Sequence, residues 1–155
     1  MSDQFRQIIE HVENKYKELM NAPSFKCCDA PKDLRDKPGI YVFLENDVPL
    51  YVGRADDIRK RLLNHRYRSH NTATLAFLLA RHATGILNAS YKPTGSRAHL
   101  LHSNPMFLAA FDKARARIGN MDVRVVVEAD PIRQALLEIY AAFVSGAKYN
   151  DFGNH

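Results

Sequence analysis

Two alternating runs on either side of Asn46-Asp47 constrain this 155-residue chain more than any other feature. Ile40, Val42 and Leu44 alternate with Tyr41, Phe43 and Glu45, and Val48, Leu50 and Val52 alternate with Pro49, Tyr51 and Gly53. A period of two belongs to strands with one apolar face, and Asn46-Asp47 reads as a turn, so a hairpin is expected. A two-residue loop would pair Tyr41 with Val52 and send Tyr41 and Tyr51 to opposite faces. A three-residue loop, Glu45 to Asp47, pairs Tyr41 directly with Tyr51, gathers all six apolar residues on the other face and needs one left-handed residue, which Asn and Asp tolerate. The three-residue loop is the expectation. Facing tyrosines also serve ordinary sheet stabilisation, so the segment that follows carries the functional weight.

Asp56 or Asp57 caps a helix in which Ile58 and Leu62 form the buried side. Arg54, Arg61 and His65, at offsets of seven and eleven, fall close to one stripe at 3.6 residues per turn. Between Arg54 and His70 stand six basic residues (Arg54, Arg59, Lys60, Arg61, Arg66, Arg68) against Asp56 and Asp57. The tail His65-Arg66-Tyr67-Arg68-Ser69-His70 interleaves cations with an aromatic, a pattern that suits nucleic acid and equally a solvated helix end. The whole chain has Lys+Arg 22 against Asp+Glu 17, a net charge of +5, which agrees with an anionic partner without identifying one.

Nearer the C-terminus, Asp130-Pro131 starts another helix, with Asp as N-cap and Pro at the first position. Its expected apolar face is Ile132, Ala135, Leu136, Ile139, Tyr140 and Phe143. Glu138 lies beside that face and is the only acid between Asp130 and Asp151.

In these segments the chain resembles the GIY-YIG nuclease family. The first motif stands as Gly39-Ile40-Tyr41 and the second as Tyr51-Val52-Gly53. Arg61 and His65 follow on the next helix in the family's spacing, Glu138 matches the helical glutamate, and Asn150 best matches a later asparagine, with Asn154 as substitute. The likeness covers roughly residues 38 to 66 and 121 to 151. It implies a metal-dependent endonuclease acting on DNA, with RNA not excluded, and products carrying a 5′-phosphate and a 3′-hydroxyl.

The residue types suit that chemistry. Phosphodiester hydrolysis passes through a pentacoordinate phosphorus with added negative charge, so cations placed at that charge lower the barrier. Arg61 fits by bidentate contact, assisted by Arg54. Glu138 supplies a hard oxygen to Mg²⁺ or Mn²⁺, and Mg²⁺ prefers such a sparse protein shell. The family implies a base among the tyrosines without saying which. Tyr51 is favoured, with Tyr41 positioning water or phosphate; adjacent cations would draw a phenol down from its usual ~10. His65 is the alternative proton relay. Arg54, Arg66, Tyr67, Arg68 and Asn150 are the candidate DNA contacts.

The remainder is organised around this core. One domain is expected, an α/β (α+β) arrangement with a small three-stranded antiparallel or mixed sheet flanked by helices. Residues 1–37 supply an N-terminal helix and a connector, 38–66 the motif core, 67–120 a helical insertion and 121–155 the third strand and the glutamate helix. The first helix presents Phe5, Ile8, Ile9, Val12, Tyr16 and Leu19 on one side. Within the insertion, one helix carries Leu75, Leu78, Leu79 and His82 and closes at Gly85. A second starts at Asn104-Pro105, buries Phe107, Phe111, Ala114 and Ile118, and ends at Gly119. Residues 91–97 read as a loop, and His99 and His102 as surface residues. Val123, Val125 and Val127 alternate as the third strand. Adjacent Cys27 and Cys28 cannot form an ordinary long-range disulfide. No apolar segment opens the sequence and no run approaches membrane-spanning length, so a cytoplasmic protein is expected. Three functions are open: the endonuclease, a non-catalytic nucleic-acid-binding module on the same fold, and a protein-interaction domain using the first helix and the cysteine pair. A homodimer or a targeting partner would supply what a lone site lacks.

Overall fold

The computed structural model describes residues 1–67, 73–86 and 96–152. The chain divides into two compact units, residues 1–60 with 121–155, and residues 61–120.

The first unit is a four-stranded antiparallel sheet, order β1-β4-β2-β3, with β1 Phe25–Lys26, β2 Gly39–Glu45, β3 Val48–Ala55 and β4 Asp122–Val127. Sequence alternation had indicated three strands. The fourth, β1, is only two residues long and pairs at the far edge, Phe25 with Val123, too short to show a period. Helix α1 (Asp3–Asn21) is capped by Ser2, whose hydroxyl accepts from the Phe5 amide. Helix α6 (Pro131–Ser145) starts at Asp130, whose carboxylate accepts from the Arg133 amide, and ends at Gly146 in the left-handed region. Both helices contribute to a core with Ile40, Val42, Leu44, Val52 and Val126 of the sheet: Val12 and Leu19 from α1, Leu137, Ala141 and Ala142 from α6. Tyr16 and Tyr140 meet edge to face across the two helices at 5.3 Å.

The hairpin departs from expectation in an instructive way. The loop has two residues: Asn46 and Asp47 both have positive φ, 50° and 63°, as a type I′ turn requires. Leu44 pairs with Pro49, but Phe43 pairs with Tyr51, so Leu50 is an extra residue in β3. This bulge restores the parity that a plain two-residue loop would have lost. Tyr41 and Tyr51 do share a face, yet they are not partners, since Tyr41 lies opposite Gly53 and Tyr51 opposite Phe43. Val48 pairs with Glu45 on the tyrosine face and is exposed, not part of the apolar set.

Helix α6 is also rotated from the expected orientation. Gln134, Leu137, Ala141 and Ala142 face inward, while Ile132, Ile139 and Phe143 are exposed. Both sides of this helix are apolar. The small alanines allow the closer approach to the sheet, and the bulkier side chains are turned outward.

The second unit is helical. The end of α2 (Ile58–Asn64) leads into α3 (Thr74–Thr84), α4 (Arg97–Ser103) and α5 (Pro105–Gly119). Gly85 closes α3 in the left-handed conformation, and Asn104 caps α5 through the Phe107 amide. Phe77 packs on Phe107 and Phe111 at 5.1 and 6.5 Å, with the Arg97 guanidinium 5.2 Å from the Phe77 ring. Helix α4, capped by Ser96, was not legible, because its cap and its first residue, Arg97, fall in the polar segment read as loop. Among the described residues no helix is long and apolar enough to cross a membrane.

Candidate active site

The glycines of the two motifs are required by space. A Cβ on Gly39 would collide with the Val126 carbonyl and lie 3.0 Å from Ile58 Cδ1, so the first glycine lets β4 and the start of α2 close on β2. A Cβ on Gly53 would occupy the position of the Tyr41 phenol. Tyr41 thus lies across β3 on its glycine, 1% exposed, with its ring edge-on to Phe43 at 5.6 Å. Tyr51 is only half-buried.

Arg54 belongs to β3 rather than to the helix, so the stripe expected of Arg54, Arg61 and His65 is broken at its first member. Asp57 is the residue that caps α2, accepting from the Lys60 amide at 3.0 Å. Pairing with Ile40 puts Arg54 on the sheet face that packs against α6, opposite to that of Tyr41 and Tyr51. There its Nε lies 3.2 Å from Glu138 Oε2. The inward rotation of α6 leaves the Glu138 side chain 25% exposed. Burial raises its proton affinity above the ordinary carboxylate value, and the Arg54 guanidinium pulls it partly back. Arg54, Ala55, Asp56, Ala129, Pro131 and Gln134 line an open cavity of about 330 Å³ beside the pair.

Asn150 binds protein backbone. Its amide donates to the Val52 carbonyl and accepts from the Val52 amide, both at 2.8 Å, and the Tyr149 amide donates to Leu50 at 2.9 Å. The chain after α6 therefore satisfies the outer edge of β3 at the second motif and at its bulge. Glu128, which sequence reasoning missed, fixes the other end of α6. It is buried, lies 2.5 Å from His11 Nε2, and accepts from the Asp130 amide at 3.2 Å, while its carbonyl accepts from Gln134. Its position at a strand end gave no periodic signal.

In the second unit, Arg61 donates to the Thr74 hydroxyl at 3.2 Å. His65 is fully buried, and burial, reinforced by the Arg61 charge, holds its pKa down to about 3. It is a neutral imidazole at neutral pH. The Arg66 carbonyl accepts from Arg115, and its guanidinium passes over Gly119. Tyr67 is exposed. Arg68 and His70, residues 91–95, and Asn154 lie outside the described residues.

No family model matches the chain. It is 47% identical over 30 residues to the UvrABC system protein C of Aquifex aeolicus (strain VF5), a match covering 19% of this chain and 5% of that protein. Solved structures of the GIY-YIG N-terminal endonuclease domain of UvrC from Thermotoga maritima, tyrosine-to-phenylalanine mutants bound to a catalytic divalent cation, align with 97% of this chain and 99% of theirs. Their identities are 16% and 17% and their TM-scores 0.39 and 0.38.

Among the described residues no group of three or more His, Cys, Asp and Glu is gathered to cage an ion. Glu138 is a single hard oxygen donor, and such a donor would suit a divalent cation that keeps most of its waters.

Proposed function

We propose that this chain is a metal-dependent endonuclease of the GIY-YIG type, hydrolysing DNA phosphodiester bonds in repair, recombination or defence. The observation that carries the proposal is the half-buried Glu138 paired with Arg54 at the end of the second motif's strand, where Arg54 lines an open cavity. A partly exposed ion pair gains little stability, whereas a half-buried carboxylate with raised proton affinity is a candidate functional group. The order of motifs, and the local identity to UvrABC system protein C, support the same assignment.

Glu138 would hold Mg²⁺ or Mn²⁺, which supplies charge neutralisation at the departing oxygen when bound. Arg54, on the strand of the second motif, would bind phosphate. Arg61 stabilises the charge that grows at phosphorus. Tyr51 is the base: it reaches solvent, while Tyr41 is enclosed over Gly53, as befits a residue that positions its neighbour. Neutral His65 supports Arg61 from the interior and does not relay protons. Arg66 and Tyr67 contact the DNA backbone, and Asn150 acts by holding Val52.

One observation favours a non-catalytic binding module on the same scaffold: the tyrosines and the Arg54–Glu138 pair occupy opposite sheet faces. Cleavage of plasmid and branched DNA with Mg²⁺ or Mn²⁺, comparing wild type, Glu138→Ala and Tyr51→Phe, separates the two. Loss of cutting with retained binding in both variants supports the nuclease. Metal-independent binding without cutting supports the module.

A further inference from the structure

We propose that two copies of this chain associate through the outer face of α6, packed antiparallel about a two-fold axis. The exposed residues are Ile132, Ile139 and Phe143, at 63%, 51% and 85% exposure, with half-buried Leu136 between the first two. Their spacings of four, three and four are those of a coiled-coil seam. The seam runs about 16 Å along the helix. Ile132, Ile139 and Phe143 lie away from the inward side, where Leu137, Ala141 and Ala142 fill the core, and Leu136 at the border packs partly against that core.

Area identifies the occupant. Ile132, Ile139 and Phe143 together offer roughly 340 Å² of apolar side chain per copy, taking about 170 Å² for each fully exposed residue. A standard interface buries about 800 Å² per partner, a little over half of it apolar. One copy of this face thus supplies about three quarters of the apolar area that a standard interface buries on each side. It is also as large as the largest apolar patch of a typical monomer.

Charge points the same way. Charged residues make up 25% of the chain, but α6 carries only Arg133 and Glu138, and Glu138 is engaged with Arg54. Depletion of charge is the compositional mark of an interface core. A chain of net charge +5 repels its own copy except where such a face is uncharged. The seam is also self-complementary: antiparallel packing sets Ile132 against the copy's Phe143, and Leu136 against its Ile139. A two-fold contact requires that reciprocity.

Sedimentation equilibrium of the full chain, up to about 100 μM, tests this. Wild type should show twice the 17.6 kDa chain mass. Phe143→Asp, and independently Ile132→Lys, should return it to a single-chain mass or raise the dissociation constant at least about tenfold. Their circular dichroism should stay unchanged. Val48→Asp, an exposed apolar site on the hairpin, should leave the dimer intact. A monomeric wild type at every concentration, or folded variants that stay dimeric, would overturn the proposal.

Discussion

Lowering the pH from 7 to 5 should cost this protein about 2 kcal/mol through His65 alone. The imidazole titrates near 6.5 when unfolded and near about 3 in the native chain, because the proton would have to enter a fully buried site beside Arg61. A depressed pKa means that the unfolded chain binds the proton first. The contribution is therefore fully present above pH 6.5, declines as pH falls, and is gone below about 3. At pH 5 the unfolded imidazole is almost wholly protonated and the native one almost wholly neutral. The difference is about 1.5 pH units at ~1.4 kcal/mol each. Urea unfolding at both pH values, for wild type and His65→Gln, isolates the effect. Glutamine does not titrate, so wild type should lose about 2 kcal/mol more than the variant between pH 7 and 5. Parallel losses in the two proteins would refute the reasoning, whatever the variant's stability at pH 7.

Other substitutions probe the first unit. Gly53→Ala should destabilise by about 1–3 kcal/mol, because its methyl group displaces the enclosed Tyr41 phenol; thermal melting measures the loss. Asn150→Ala should cost about 1–3 kcal/mol by leaving both Val52 backbone groups without their partner, and hydrogen exchange at the Val52 amide should accelerate. Asp47→Gly should stabilise by up to about 1 kcal/mol, since the residue sits at φ 63° in a turn that favours Asn-Gly; urea unfolding measures the gain. Arg54→Ala should raise the Glu138 pKa further, because it removes the opposing charge and keeps the burial; carbon-detected NMR titration of the carboxyl reads the direction.

The features legible in sequence are those fixed by local backbone chemistry. Asp57, Asn104 and Asp130 cap helices where their side chains demand it, and Gly85 closes α3 because its φ of 78° excludes most other residues. Alternation located the hairpin and put both tyrosines on one face. It did not reveal how, because the bulge at Leu50 is a choice between two pairings of nearly equal local merit. The rotation of α6 was hidden for a related reason. Hydrophobicity ranks Ile132, Ile139 and Phe143 above Ala141 and Ala142, whereas close packing on a sheet rewards the smaller pair. Arg54 was misassigned because a strand running two residues further than its alternating pattern leaves no sequence mark. The role of Asn150 depends on a partner nearly a hundred residues away. Glu138 stands out in the sequence by its isolation alone; its pairing with Arg54 required the fold.

The central claim rests on Glu138, and the direct measurement is the cutting of supercoiled plasmid by wild type and Glu138→Ala, with Mg²⁺ and with chelator. The account predicts metal-dependent cutting by wild type and loss of at least about a hundredfold in rate for the variant, or ~2.7 kcal/mol at the transition state, with DNA binding retained. Cutting that survives in Glu138→Ala would contradict it, leaving the Arg54–Glu138 pair a structural link between α6 and β3.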